Sequence, residues 1–230
     1  MTTTGEPSFR TEGVVNAASF RAPIAAGALA TVFGLHLAAG AVAQADSVPL
    51  PQELAGVQVL LNDRPVPLVY VSDSQINFFV PRLTQSGDAT LAVSTPVGRT
   101  APVTIPVGGV APGVFTIPAT GEGAVLIAGT GRLTSQQPAS PGDYLEIYCT
   151  GLGPVEPFQP GSPLEQTVHR PEIAIGGVAA EEIPFSGLAP GFVGLYQVNV
   201  RVPPGVPSGA QPLRLSIAGA EANEVTVFIR

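Results

Sequence analysis

The chain has no lysine, no tryptophan, a single cysteine and two histidines in 230 residues. Each shortage removes a class of function. Without lysine there is no Schiff-base chemistry and no Lys–Asn isopeptide cross-link of the kind that braces some surface β-sandwiches. With aromatics at 6% and no Trp, a sugar-stacking platform is poorly supplied, and would fall to Tyr70, Tyr144, Tyr148 and Tyr196. Cys149 has no second cysteine for an intrachain disulfide or a Cys-based zinc site. It follows Ile147 and Tyr148 with no basic neighbour to activate a thiol, so it reads as a small apolar core side chain. Positive charge is scarce as well: all ten basic residues are arginine, against 17 acids, for a net charge of −7. No arginine cluster exists, so nucleic acid and anionic membrane surfaces are not expected partners.

Further candidates for chemistry are thin. His36 and His169 have no nucleophile elbow beside them and no Cys or acid at metal-ligand spacing. His169 lies in the polar run Glu165–Glu172, where a solvated loop is expected. Asn62, Asp63 and Asp73 are loop oxygens for calcium only in a weak sense, since no EF-hand pattern accompanies them. Glu181 and Glu182 are adjacent, so on a strand they point to opposite faces, unlike a glycosidase pair. No catalytic residue, metal site or cofactor is assigned, and an enzyme is the class least supported.

What is abundant is glycine (27) and proline (25) beside 45% apolar residues, the composition of many short strands joined by tight turns. The chain also repeats itself. Pro23–Gly27 and the strand ending Phe33-Gly34-Leu35-His36-Leu37 return as Pro138–Gly142 and the strand ending Tyr148-Cys149-Thr150-Gly151-Leu152. Val59–Asp63 returns as Ile173–Gly177, and Gln75-Ile76-Asn77 before Val80-Pro81 returns as Gln197-Val198-Asn199 before Val202-Pro203. Ser86-Gly87, Leu91, Val93, Val103, Ile105 and Val107 match Ser208-Gly209, Leu213, Leu215, Val225, Val227 and Ile229. The spacing is 115 at the first match, 114 at the second and 122 from the third onward. The insertion Gly187-Leu188-Ala189-Pro190-Gly191-Phe192-Val193-Gly194 in the second copy explains the step.

The repeat also settles residues 21–47, an almost uncharged Ala/Leu/Val run with Ala-Gln-Ala near its end. A cleaved signal or a membrane helix has no reason to recur inside the second half, and Pro23 and several glycines interrupt it. It is expected to be strand and loop, with any export signal upstream in a longer parent chain. Within each copy, Ile76, Phe78 and Val80 alternate with Gln75, Asn77 and Phe79, and Leu145, Ile147 and Cys149 with Tyr144, Glu146 and Tyr148. Strands recurring every ten residues or so, bounded by Pro-Gly, Ser-Gly, Asn-Asp and Gly-Gly turns, indicate immunoglobulin-like β-sandwiches. The predicted fold is all-β: two tandem sandwiches from an internal duplication, residues 1–112 with an N-terminal extension 1–13, then 113–230. Gly113–Thr116 and Ala124–Ala128 are expected to open the second.

Several of these segments carry a family resemblance. They are Val14-Val15-Asn16-Ala17-Ala18-Ser19-Phe20, the Pro-x-x-x-Gly strand starts, Gln75-Ile76-Asn77, Ala111–Thr116, Thr150–Gly153 and Gly187–Val200. Together the chain, from about Gly13 to Arg230, resembles the C-terminal module of large secreted acidobacterial proteins of the Solibacter type. The resemblance implies Ig-like domains similar to the IPT/TIG class, an extracellular or cell-surface location, attachment to a larger protein and no assigned activity.

Two features stand out as candidate sites. The repeated amides Gln75, Asn77, Gln197 and Asn199 form a ligand patch or, on the economical reading, satisfy the backbone of a neighbouring loop. In the inserted loop, Leu188, Phe192 and Val193 either present an apolar tip to a partner or tuck against the first sandwich; packing is favoured slightly. The leading functional expectation is a non-enzymatic extracellular attachment or assembly module without a membrane span. Its partner is expected to be another protein, a second copy or other domains of the parent chain, met through sheet edges or loop tips. Self-association through Thr2–Gly13 or a free sheet edge, and small-ligand or glycan binding, are the alternatives.

Overall fold

The computed structural model describes residues 5–230; Thr2–Thr4 of the predicted N-terminal segment lie outside them. The chain divides into two compact units, Met1–Gly109 and Val110–Arg230. Among the described residues every regular element is a strand.

In the first unit one sheet runs Ser8–Asn16, Leu29–Leu35, Gln75–Phe79, Leu68–Val71, Ala43–Gln44. The other runs Ile24–Ala25, Val103–Gly108, Gly87–Thr95, Gln58–Leu61, Arg64–Pro65, with Gly98–Arg99 also on Gly87–Thr95. Numbering the main strands along the chain, the order is first–second–fifth–fourth on one sheet and seventh–sixth–third on the other. That is the immunoglobulin sandwich arrangement. The core between the sheets is built by alternation: Ala30, Val32, Ile76 and Phe78 from one sheet meet Val59, Leu61, Leu91, Val93 and Ile105 from the other. Burial at this density is the main stabilising term, with each such side chain contributing about 1.5–3 kcal/mol. Residues 21–47 supply the strands Ile24–Ala25, Leu29–Leu35 and Ala43–Gln44 with loop between them, rather than a helix: Ile24, Ala25, Ala30 and Val32 are all buried, and among the described residues no helix is long and apolar enough to cross a membrane.

The second unit repeats this pairing in register. Leu29↔Phe79 and Thr31↔Asn77 in the first copy become Tyr144↔Arg201 and Glu146↔Asn199 in the second, offset by 115 on one strand and 122 on the other. Val59↔Val93 becomes Ile173↔Leu215, and Val103↔Leu91 becomes Val225↔Leu213. Even the short parallel contact Ile24↔Val107 recurs as Ala139↔Ile229. The duplication is therefore one of hydrogen-bond register as well as of sequence. The second core gathers Leu145, Ile147, Val198 and Val200 against Ile173, Ile175, Leu213 and Leu215.

The strand Ser8–Asn16 pairs with Leu29–Leu35 at Ser8↔Leu35, Phe9↔Gly34 and Val14↔Val32, with a bulge between Phe9 and Val14. Its counterparts on Tyr144–Thr150 are Gly113–Val114 and Val125–Ile127, at Gly113↔Thr150, Val114↔Cys149 and Val125↔Ile147. Residues 8–13 are thus the first half of an edge strand of their own sandwich, not an appendage to it.

Candidate interaction surfaces

Because Ala30, Val32 and Gly34 face the first core, the alternate residues Thr31, Phe33 and Leu35 face outward on the same sheet. Phe33 and Leu35 are exposed, Leu35 by 65%. The turn after Ser8–Asn16 adds a third apolar group. The buried Asn16 side chain accepts from the backbone N–H of Ala18 (2.7 Å) and Ser19 (3.0 Å), while its carbonyl accepts from Phe20 N–H at 3.0 Å. The turn so closed leaves Phe20 at φ 53°, a left-handed backbone that a bulky aromatic rarely adopts. Phe20 is 55% exposed, and its ring stands 5.9 Å from that of Phe33, tilted 48°. Phe20, Phe33 and Leu35 form an exposed apolar patch on one outward sheet face. None of the three stood among the sequence candidates; the available signal was the repeat, which matches Phe33 to Tyr148, on the opposite face from Ile147 and Cys149.

The repeated amides lie on the outward faces too, half-buried. Gln75 Nε2 donates to Asn77 Oδ1 at 2.9 Å, and Gln197 Nε2 donates to Asn199 Oδ1 at 2.8 Å. Asn77 Oδ1 also accepts from the buried Thr31 hydroxyl at 2.9 Å. The partner is a neighbouring side chain, not the loop backbone that the sequence suggests. The amides therefore brace their own strand, and in the first copy its neighbour as well.

The inserted loop lengthens one hairpin. Phe185–Leu188 and Tyr196–Arg201 pair from Phe185↔Asn199 to Leu188↔Tyr196, and Ala189 N–H closes on Leu195 O at 3.0 Å. Gly191 (φ 82°) and Gly194 (φ 70°) take left-handed turns open to glycine. The loop folds back so that Gly194 O accepts the Thr150 hydroxyl at 2.7 Å. The three predicted residues separate here. Leu188 packs against the core of its own sandwich, Val193 is half-buried, and Phe192 is 63% exposed at the tip.

A polar cluster borders a cleft of about 600 Å³ in the second unit, lined in part by Pro141, Glu181, Glu182, Arg201 and Pro203. Tyr144 Oη donates to Glu182, Arg201 Nη1 donates to the same carboxylate at 3.1 Å, and Arg201 Nε donates to Gly142 O at 3.3 Å. The Tyr144 bond first, then that of Arg201, holds the Glu182 carboxyl below the usual range; the same carboxylate pushes the Tyr144 phenol up.

The remaining candidates do not assemble. Tyr196 is buried and its hydroxyl is spent on Gly153 O at 2.6 Å, and Tyr70 is half-buried in the first unit. Asp73 caps the backbone of Ala38 and Gly40, Asp63 pairs with Arg99 at 2.7 Å, and Asn62 accepts from Thr90 N–H, so each of the three residues has its own structural task. His36 and His169 are exposed in different units. Cys149 is buried, and desolvation pushes its thiol far up, as expected of a packing residue.

Fold and surfaces together define a tandem immunoglobulin-like module. No family model matches the chain, and no curated protein matches it. Among solved structures it is similar to SGBP-B of the Bacteroides ovatus mixed-linkage glucan utilization locus, in complex with a mixed-linkage heptasaccharide. That match has 13% identity over 90% of this chain and 43% of the other, with a TM-score of 0.36. SGBP-B from a complex xyloglucan utilization locus in Bacteroides uniformis matches at 13% over 97% and 49%, TM-score 0.31. The titin Ig tandem A164-A165 matches at 11% over 97% and 95%, TM-score 0.25. The chain spans less than half of either SGBP-B chain. The assignment of the fold rests on the strand order and register above.

Proposed function

We propose that the chain is a non-enzymatic attachment and assembly module, working at the cell surface as the C-terminal part of a larger secreted protein. The observation that carries this reading is the Phe20–Phe33–Leu35 patch. Three large apolar side chains share one outward face, and one of them sits on a left-handed backbone that an asparagine-closed turn maintains. Exposed apolar patches on soluble domains mark contact surfaces, and strain of about 1–3 kcal/mol persists only where the surroundings enforce it. The resemblance to acidobacterial C-terminal modules supports the location and the attachment to a parent chain.

The test is a fluorescent reporter secreted with this chain fused at its C-terminus. The wild-type fusion is expected to stay with the cell surface, and the Phe20→Ser/Phe33→Ser fusion to pass into the medium. Equal retention of both would overturn the reading.

A further inference from the structure

The duplication makes each copy a control for the other. Tyr144 pairs with Arg201 in the second copy where Leu29 pairs with Phe79 in the first. Arg201 N–H donates to Glu182 O at 2.9 Å, as Phe79 N–H donates to Pro67 O at 2.8 Å. Tyr144, Glu182 and Arg201 therefore stand where the first copy has Leu29, Pro67 and Phe79. The same sandwich forms with three half-buried apolar side chains at these positions. Its fold does not require a phenol, a carboxylate and a guanidinium there, yet the second copy exposes all three.

These side chains hold one another in place beside the cleft of about 600 Å³. Glu182 accepts the Tyr144 hydroxyl on one oxygen and Arg201 Nη1 on the other. Gly142 O accepts Arg201 Nε, and the guanidinium carbon lies 6.0 Å from the centroid of the Tyr144 ring. Among the described residues Arg201 Nη2 has no acceptor. Pro141, Val178, Ala179 and Pro204 give the cleft an apolar wall. Its volume lies within the roughly 300–1,000 Å³ of small-molecule sites, which join such walls to a few convergent polar groups.

We infer that this cleft binds a neutral sugar unit, held through two neighbouring hydroxyls by Glu182 and Arg201, with its carbon face on the apolar wall. A hydroxyl both donates and accepts. Glu182 offers lone pairs and Arg201 unspent N–H groups side by side, and adjacent hydroxyls satisfy both at once. Charge narrows the class. The ionisable side chains on the wall are Glu181, Glu182 and Arg201, two negative and one positive, so an anion gains no net attraction. A cation finds Glu182 already balanced by Arg201, which leaves the exposed Glu181 as a weak partner. A wholly apolar molecule would strip water from the ion pair and replace none of its hydrogen bonds. The site lies on the second unit and uses none of the patch residues, so it adds a ligand to the attachment reading.

The test is amide chemical-shift mapping of the full chain by NMR. The probes are glucose, galactose, mannose and xylose, each free and as its methyl glycoside, with glucuronate and glucosamine as charged analogues. At least one neutral sugar is expected to move the amides of 142–144, 181–183 and 201 together and saturably, and the charged analogues to move them less. Response to the free sugar alone marks a monosaccharide ligand; response to the glycoside as well marks the end of a longer chain. Tyr144→Leu/Arg201→Phe, which restores the side chains of the first copy, is expected to keep its shifts elsewhere and lose the response. Glu182→Gln alone is expected to weaken it. No response to any neutral sugar, an equal or stronger response to a charged analogue, or a Glu182→Gln chain that responds like wild type would each overturn the inference.

Discussion

Asn16 accepts two backbone N–H groups with one side-chain oxygen while 1% exposed. Asn16→Ala leaves those donors without that acceptor, which costs about 1–3 kcal/mol. The urea midpoint should fall with an unchanged slope, and a midpoint equal to wild type would contradict the role given to this turn. Gly34 marks how closely that edge strand approaches. A Cβ on Gly34 would stand 2.4 Å from Ser8 O and 2.9 Å from Phe9 Cβ, so the neighbouring backbone leaves room only for glycine here. In the second copy Cys149 occupies the equivalent position, paired with Val114. Glu182 belongs to this scale too. Its folded pKa is lowered, so its contribution to stability is present above the unfolded carboxylate value and is lost as pH falls through the folded one. Thermal melting of wild type against Glu182→Gln should show a gap at neutral pH that closes below about pH 4; a gap independent of pH would contradict the linkage.

At the scale of elements, the strands and their duplication were legible because alternation and turn residues survive in both copies. Gln-x-Asn marks one strand twice, and Val103, Ile105, Val107 reappear as Val225, Val227, Ile229 in identical pairing. The edge strand Ser8–Asn16 was not legible as such. Its bulge breaks the period at Arg10–Gly13, and its counterpart is split between Gly113–Val114 and Val125–Ile127. The inserted loop was legible as an insertion, but the division of labour within it was not. Leu188 continues a strand into the core, whereas Phe192 follows a proline and a left-handed glycine that turn it outward. The exposed patch was missed for a related reason. Phe33 and Leu35 read as strand apolars, and only the inward placement of Ala30, Val32 and Gly34 shows that they face solvent.

For the whole molecule, an acidic, lysine-free chain gains solubility from its net charge and leaves few surfaces on which copies can meet. The exposed apolar face of Phe20, Phe33 and Leu35 is one surface where a partner can meet the chain, bordered by the exposed Arg10 and Glu12 of the neighbouring strand. Backbone amide hydrogen exchange of the wild-type chain, compared between the free chain and the chain bound to isolated cell envelopes, locates the contact directly. The account predicts that amides of 16–20 and 33–35 gain protection together on binding. Exchange unchanged in these segments, or protection gained only elsewhere on the sandwiches, would contradict it.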